Sequence, residues 1–286
     1  MRRHREMAPQ PVRPLARREF EAIRQLAYRA FGLDLQSGKE ELVSARLQRL
    51  VSSGGFHSYH DYYCHVVEDA TGESLSALID ALATTHTSFL RETDHFEFLR
   101  RAVAPTLARR RGVDVWSAAC ATGEEVWSLA FLLNEVLPGC AIRLVGTDIS
   151  RKALDCCRRA VYSSDRVSGL PPLWIKAYMV PEGHPPVAYC VKSKIREQAV
   201  FRRLNLIEPW DSPARFPVIF CRNVMIYFDR ITQERVLSTL TGHLDPGGYL
   251  FIGHADSLSG IDHRLQPMGP GVYRKPPARQ GDLWAG

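Results

Sequence analysis

Apolar positions in the first third of the chain recur at helical spacing. Phe20, Ile23, Ala27, Ala30 and Phe31 make one stripe, and Leu42, Leu47, Leu50 and Val51 a second. Leu75, Leu78, Ile79 and Leu82 make a third, and Phe96, Leu99, Val103 and Leu107 a fourth. Turn residues part them at Gly32, at Ser37-Gly38, over 52–55 and at Thr71-Gly72. No strand-like alternation interrupts the region. The pattern predicts an all-α N-terminal domain over 15–85, then a connecting segment and helix over 86–110.

From Val113 onward the pattern changes. Short apolar runs at 113–116, 142–145, 218–221 and 249–252 read as strands. Helical stretches follow at 124–137, from Ser150, and at 232–244. This alternation predicts an α/β domain over 111–275 built on a parallel, doubly wound sheet. Residues 162–200 fit it poorly: they hold five prolines and short strand-like runs at 187–191 and 199–201. They read as a small inserted β-subdomain. The tail over 276–286 reads as disordered.

A length of 286 residues accommodates two domains at roughly 100–200 residues each. No apolar run approaches the roughly 18–20 residues of a membrane span. Arg2, Arg3 and Arg5 lack the apolar segment of a secretory signal behind them, so a cytoplasmic location is expected. The seven cysteines are odd in number and show no CxxC spacing, which reads as reduced thiols. The net charge of +6 is uneven: residues 1–60 carry 11 Lys/Arg against 6 Asp/Glu, and the remainder 26 against 25. The basicity belongs to the helical segment, where it is either a solvated face or a docking face for an acidic partner.

In a doubly wound sheet, ligands bind beyond the carboxyl ends of the strands. The first strand runs into Ser117-Ala118-Ala119-Cys120-Ala121-Thr122-Gly123-Glu124-Glu125. Small residues let the backbone approach a ligand closely. Two glutamates at a helix start suit a cationic ligand and repel a pyrophosphate, which disfavours NAD and ATP; they would also simply complement the helix dipole. Asp148 ends the second strand, where a carboxylate can accept both ribose hydroxyls or cap the next helix. Together these features fit a nucleoside with a positive amino-acid tail, as in S-adenosylmethionine. Asn205-Leu206 could bracket an adenine, and Arg222-Asn223 place two polar side chains at the same sheet edge or serve as a cap and a surface Arg. His86, His95 and His254 lack metal spacing, so no metal is expected. Cys221 reads as an inert buried thiol.

Several motifs line up in order. They are Thr84-Thr85-His86-Thr87-Ser88-Phe89-Leu90-Arg91-Glu92, Trp116-Ser117-Ala118-Ala119 with Thr122-Gly123-Glu124-Glu125, Thr147-Asp148-Ile149-Ser150, and Asn205-Leu206. Then come Cys221-Arg222-Asn223-Val224-Met225-Ile226-Tyr227-Phe228-Asp229 and Pro246-Gly247-Gly248 through His254. On these the chain resembles the CheR family of chemotaxis receptor methyltransferases over residues 15–275. The resemblance implies a class I S-adenosylmethionine-dependent methyltransferase fold with a Rossmann-like doubly wound sheet, an all-α N-terminal domain and an inserted antiparallel β-subdomain. It implies that Ala118 and Glu124 hold the methionine end, Asp148 the ribose, and Asn205 and Leu206 the adenine. Arg222 and Asn223 would lie around the cofactor, Thr85, Thr87 and Arg91 would close over it, and Tyr227 would face the methyl group. The family usually has Asn at position 85, Phe at 90, Pro-Tyr at 126–127 and Ser-Glu at 255–256.

The implied reaction converts a glutamate carboxylate into its methyl ester, leaving S-adenosylhomocysteine. A free Glu, with a pKa of about 4.3, is already ionised, so no general base or metal is required. Alignment and water exclusion remain, and Arg91 and Tyr227 are the residues expected to supply them as the catalytic pair. The implied partner is the acidic methylation region of the chemoreceptor cytoplasmic helical bundle, which would give the basic N-terminal helices a purpose; a receptor C-terminal tail peptide on the β-subdomain is a further possibility. A nucleic-acid methyltransferase is the first rival, suggested by a pI near 9.0. It lacks an aromatic-interleaved basic stripe and an Asn-Pro-Pro-Tyr motif, so no nucleic-acid partner is expected. A non-catalytic S-adenosylmethionine-binding module is the second, opposed by the presence of both Arg91 and Tyr227.

Overall fold

The computed structural model describes residues 13–277; the predicted tail beyond 277 lies outside the described residues. The chain divides into two compact units, the first ending at Thr84 and the second beginning at Thr85.

Among its described residues the first unit forms four helices: α1 (Arg17–Phe31), α2 (Glu40–Ser53), α3 (Tyr59–Glu68) and α4 (Glu73–Leu82). Their cores follow the predicted stripes at Phe20, Ile23, Ala27, Leu47, Leu78, Ile79 and Leu82, all buried. Leu42 is an exception, exposed while Val43 takes the inward position. α3 escaped the aliphatic pattern because aromatic residues supply its buried face, Tyr59 and Tyr62 with Val66. The buried Glu19 starts α1, accepting from the Ala16 N–H at 2.8 Å. Its other oxygen accepts from the His60 N–H at 3.0 Å, so one carboxylate secures α1 against α3. Arg46 of α2 is half-buried and donates to the Leu82 carbonyl at 2.5 Å and the Thr84 hydroxyl at 3.0 Å. It thereby satisfies an orphan carbonyl at the end of α4. Arg49, one turn on, is exposed.

The second unit opens with α5 (Thr93–Phe98), a π-helical turn (Leu99–Val103) and α6 (Ala104–Leu107). These residues pack as part of the sheet's core: Leu99, Val103 and Leu107 share a cluster with Val113, Val115 and Phe131. Then follow β1 (Gly112–Ala118), α7 (Glu124–Val136), β2 (Ala141–Asp148) and α8 (Arg151–Arg159). The insert holds β3 (Val161–Ser163), α9 (Ser164–Val167), α10 (Pro172–Tyr178), β4 (Met179–Glu182), β5 (Ala188–Val191) and α11 (Ser193–Arg196). The unit closes with β6 (Ala199–Arg203), β7 (Phe216–Cys221), α12 (Arg230–His243), β8 (Leu244–Ile252), β9 (Gln266–Gly269) and β10 (Val272–Arg274).

Seven strands form one sheet in the order β6-β2-β1-β7-β8-β10-β9. The first five are parallel; β10 runs antiparallel to both its neighbours. β3, β5 and β4 form a separate antiparallel sheet. The run at 199–201 was expected within the insert and instead forms the edge of the main sheet, pairing with β2 from Leu144↔Ala199 to Asp148↔Arg203. The reason lies in packing. Gly146 has no side chain where the Phe201 ring crosses it, and Phe201 meets Trp127 at 5.5 Å.

β7 is buried at every position, as a central parallel strand should be. Val218 and Phe220 face one layer with Val115, Phe131 and Phe251. Ile219 and Cys221 face the other with Trp116, Leu237 and Leu240. The chain winds from β1 through β2 to β6 in one direction and from β7 to β8 in the other, so the switch point lies between the carboxyl ends of β1 and β7. The seven cysteines are free thiols. No helix among the described residues is long and apolar enough to cross a membrane.

Candidate active site

After β1 the backbone turns sharply. Ala119, Ala121 and Gly123 all take positive φ, at 61°, 48° and 97°. At Gly123 a Cβ would stand 2.9 Å from the Tyr162 hydroxyl and 3.2 Å from the Cys157 Cα, so only glycine fits. The turn aims backbone and small side chains at the switch point. Asp148, buried at the end of β2, accepts from the Ala121 N–H at 2.8 Å and the Ser150 N–H at 2.9 Å. It therefore shapes the turn as well as standing where a ribose would bind, and a carboxylate's four lone-pair sites suit such multiple use.

Glu124 and Glu125 open α7 in different surroundings. The Glu124 carboxylate is completely buried, accepts from the Thr122 hydroxyl at 2.7 Å and is ion-paired with Arg166. Glu125 accepts from Ser117 at 2.7 Å and from Arg222 at 3.1 Å. Burial pushes the Glu125 carboxyl above the usual range despite the Arg222 charge.

Arg222 begins the segment after β7, and its side chain is 2% exposed. Its guanidinium donates to Glu92 at 2.8 Å, to Glu125 and to the Arg91 carbonyl. Asn223, at φ 56°, donates to the other Glu92 oxygen at 3.0 Å. Burial alone would raise the Glu92 carboxyl, but the Asn223 hydrogen bond and the Arg222 charge outweigh it and hold it down at about 2. Asp256 accepts from the Gly253 N–H at 2.9 Å, the Asn223 N–H at 2.5 Å and the Ile226 N–H at 3.1 Å. Desolvation raises its carboxyl even so. A continuous chain thus runs from Arg91 through Glu92, Arg222, Asn223 and Asp256 to Ile226, the residue before Tyr227.

Other expected site residues differ in setting. The Arg91 guanidinium donates to the His86 carbonyl at 3.0 Å and pairs with neither Glu92 nor Asp94. Thr85 and Thr87 lie half-buried in the loop before it, and Tyr227 is half-buried in a 3₁₀ turn (Met225–Tyr227). Asn205 donates to Glu208 at 2.8 Å, and Leu206 packs in the core with Ala118 and Ile219. Burial pushes the Cys221 thiol far up, in keeping with an inert residue. The sequence spacing of His95 and His254 suggested no metal set, yet the fold brings one ligand atom each from Glu92, His95 and His254 within 4.8 Å of one another. Both Glu92 oxygens are already taken by Arg222 and Asn223, which leaves that carboxylate committed to an ion pair. Glu92, Asp256 and Arg166 join the candidate site through their contacts with Arg222, Asn223 and Glu124, and sequence reading did not single them out. The one available signal was Arg222-Asn223 itself, two polar residues after a fully apolar strand, which demand partners without naming them.

The site fits S-adenosylmethionine: a buried carboxylate beside a small-residue turn for an ammonium, and a strand-end Asp for a ribose. The fold is that of a class I S-adenosylmethionine-dependent methyltransferase. Residues 85–273 match the CheR methyltransferase S-adenosylmethionine-binding domain, and residues 18–83 match its all-α domain. Chemotaxis protein methyltransferase 2 of Pseudomonas aeruginosa is 34% identical over 261 residues, 90% of this chain and 92% of its own length. The chemotaxis protein methyltransferases of Borreliella burgdorferi and Escherichia coli are 32% and 33% identical, the matches covering 94% and 89% of their lengths. The chain belongs to the CheR methyltransferase family.

Proposed function

We propose that this enzyme methylates glutamate side chains in the cytoplasmic helical bundle of chemoreceptors, forming glutamyl methyl esters in sensory adaptation, and that it works in the cytoplasm. Relatives named chemotaxis protein methyltransferases support the pathway. The observation that carries the chemistry is the buried network joining the backbones that bear Arg91 and Tyr227, with the Arg91 guanidinium held, among the described residues, through the His86 carbonyl. That arrangement fixes where the arginine starts and leaves most of its donors for an incoming carboxylate.

Methyl transfer from S-adenosylmethionine is an in-line displacement in which an O–CH3 bond forms as the S–CH3 bond breaks. Arg91 orients the carboxylate, and Tyr227 fixes one of its oxygens through the phenol hydroxyl. Glu124 and Ala118 receive the amino-acid end, Asp148 the ribose, and Asn205 with Leu206 the adenine, with Thr85 and Thr87 closing over them. Arg222 and Asn223 act by holding Glu92 and the 85–92 segment in place. An ionised glutamate needs no base, so positioning is the main contribution.

The experiment is transfer of labelled methyl groups to receptor-bearing membranes, followed by mild alkali. Carboxyl methyl esters release methanol, whereas N-methyl groups on protein or nucleic acid do not. An alkali-stable label, or none on receptors, would overturn the reading. The basic face of α2 is the proposed docking surface, and Arg49 is its better probe because Arg46 also secures the end of α4. Arg49→Glu should raise the receptor KM while the S-adenosylhomocysteine Kd stays the same. A receptor tail peptide on the antiparallel sheet of the insert is a second contact to test by the same assay.

A further inference from the structure

Glu124 makes an unusual demand on the protein. Its side chain is fully buried, and the charge on Oε1 is met by Nη2 of Arg166, contributed by α9 of the insert. Arg166 donates through Nη2 to the Thr122 hydroxyl at 2.8 Å, and its guanidinium lies 5.3 Å from the Tyr162 ring centre. Tyr162 in turn donates to the Thr122 carbonyl at 2.8 Å, so the insert is anchored to the turn after β1 through two side chains. The Arg166 side chain is 41% exposed, and its Nε and Nη1 hydrogens have no acceptor among the described residues. A buried carboxylate beside a partly open guanidinium with spare donors is the complement of a zwitterion.

We propose that Glu124 and Arg166 together recognise the amino-acid moiety of S-adenosylmethionine, Glu124 taking the ammonium and Arg166 the α-carboxylate. The Glu124–Arg166 pair separates by the width of the bound zwitterion, so each protein charge exchanges one partner for another and none is left buried alone. This rests on the reading that Glu124 faces the methionine end. It gives Arg166 a role in cofactor specificity, frees Arg91 for the substrate carboxylate, and makes the insert part of the cofactor site.

The test is calorimetric binding, independent of turnover, for the wild type, Arg166→Gln, Arg166→Lys and Glu124→Gln. The ligands are S-adenosylhomocysteine and its decarboxylated analogue, which keeps the ammonium and lacks the carboxylate. Arg166→Gln should weaken S-adenosylhomocysteine about ten- to a hundredfold, the range for a hydrogen bond between charged groups. The decarboxylated analogue should not be weakened and should bind more tightly, because no Glu124–Arg166 pair then has to open for its ammonium, and Arg166→Lys should recover part of the S-adenosylhomocysteine loss. Equal losses for both ligands, or none for S-adenosylhomocysteine, would overturn the role of Arg166. If Glu124→Gln binds the decarboxylated analogue as the wild type does, the ammonium assignment itself fails. Unfolding midpoints followed by tryptophan fluorescence separate either result from misfolding.

Discussion

Replacing Glu92 with Gln removes the charge at the centre of the Arg222 network and leaves its shape. The native carboxyl titrates at about 2 against an ordinary 4.5. At about 1.4 kcal/mol per unit this is about 3 kcal/mol, and partial solvent screening brings it nearer about 2 kcal/mol. The sign follows from the direction of the shift. A depressed carboxyl stabilises the folded state fully above its unfolded pKa, and the stabilisation is lost as pH falls from about 4.5 towards about 2. The four tryptophans among the described residues, Trp116, Trp127, Trp174 and Trp210, all lie in the second unit and none precedes position 116, so the change of fluorescence in urea reports that unit. Glu92→Gln should lower that unit's stability by about 2 kcal/mol at pH 7. The gap between variant and wild type should narrow as pH falls from 5 to 3. A gap that is absent at pH 7, or that does not change with pH, would show that Arg222 and Asn223 do not hold this carboxylate as described.

Tyr227→Phe should lower kcat about tenfold or more through one lost hydrogen bond to a charged group, with the S-adenosylhomocysteine Kd unchanged; a rise in Kd instead would place the phenol on the cofactor. Asp148→Asn should weaken S-adenosylhomocysteine by about tenfold or more, because the same carboxylate orders Ala121 and Ser150; calorimetry reads it, and unaltered affinity would remove Asp148 from the site. Gly253→Ala would bring a Cβ to 2.6 Å from the Asn223 nitrogen. It should cost about 1–3 kcal/mol by urea unfolding and disturb the turn leading to Tyr227, and a neutral result would mean that this contact has room to relax.

Much of the architecture was legible along the chain. Helical stripes such as Phe20-Ile23-Ala27 and apolar runs such as 218–221 reflect burial that one element imposes on its own sequence, and burial leaves a periodicity. The motifs around Arg91, Asp148 and Arg222 were legible too, because a turn or strand end writes its chemistry into adjacent residues. What the sequence by itself determined was therefore the type of each element, the division into a helical and an α/β part, and the residue types gathered at the strand ends.

Only the tertiary structure decided which charges meet. Glu92 and Arg222 stand 130 residues apart, and Glu124 meets Arg166 from an insert whose own sequence resembles an ordinary short helix. The placement of 199–201 in the main sheet likewise depended on Gly146 making room for Phe201. Pairing of this kind leaves no period in the chain, because a buried charge constrains its partner's position in space and not its distance in sequence.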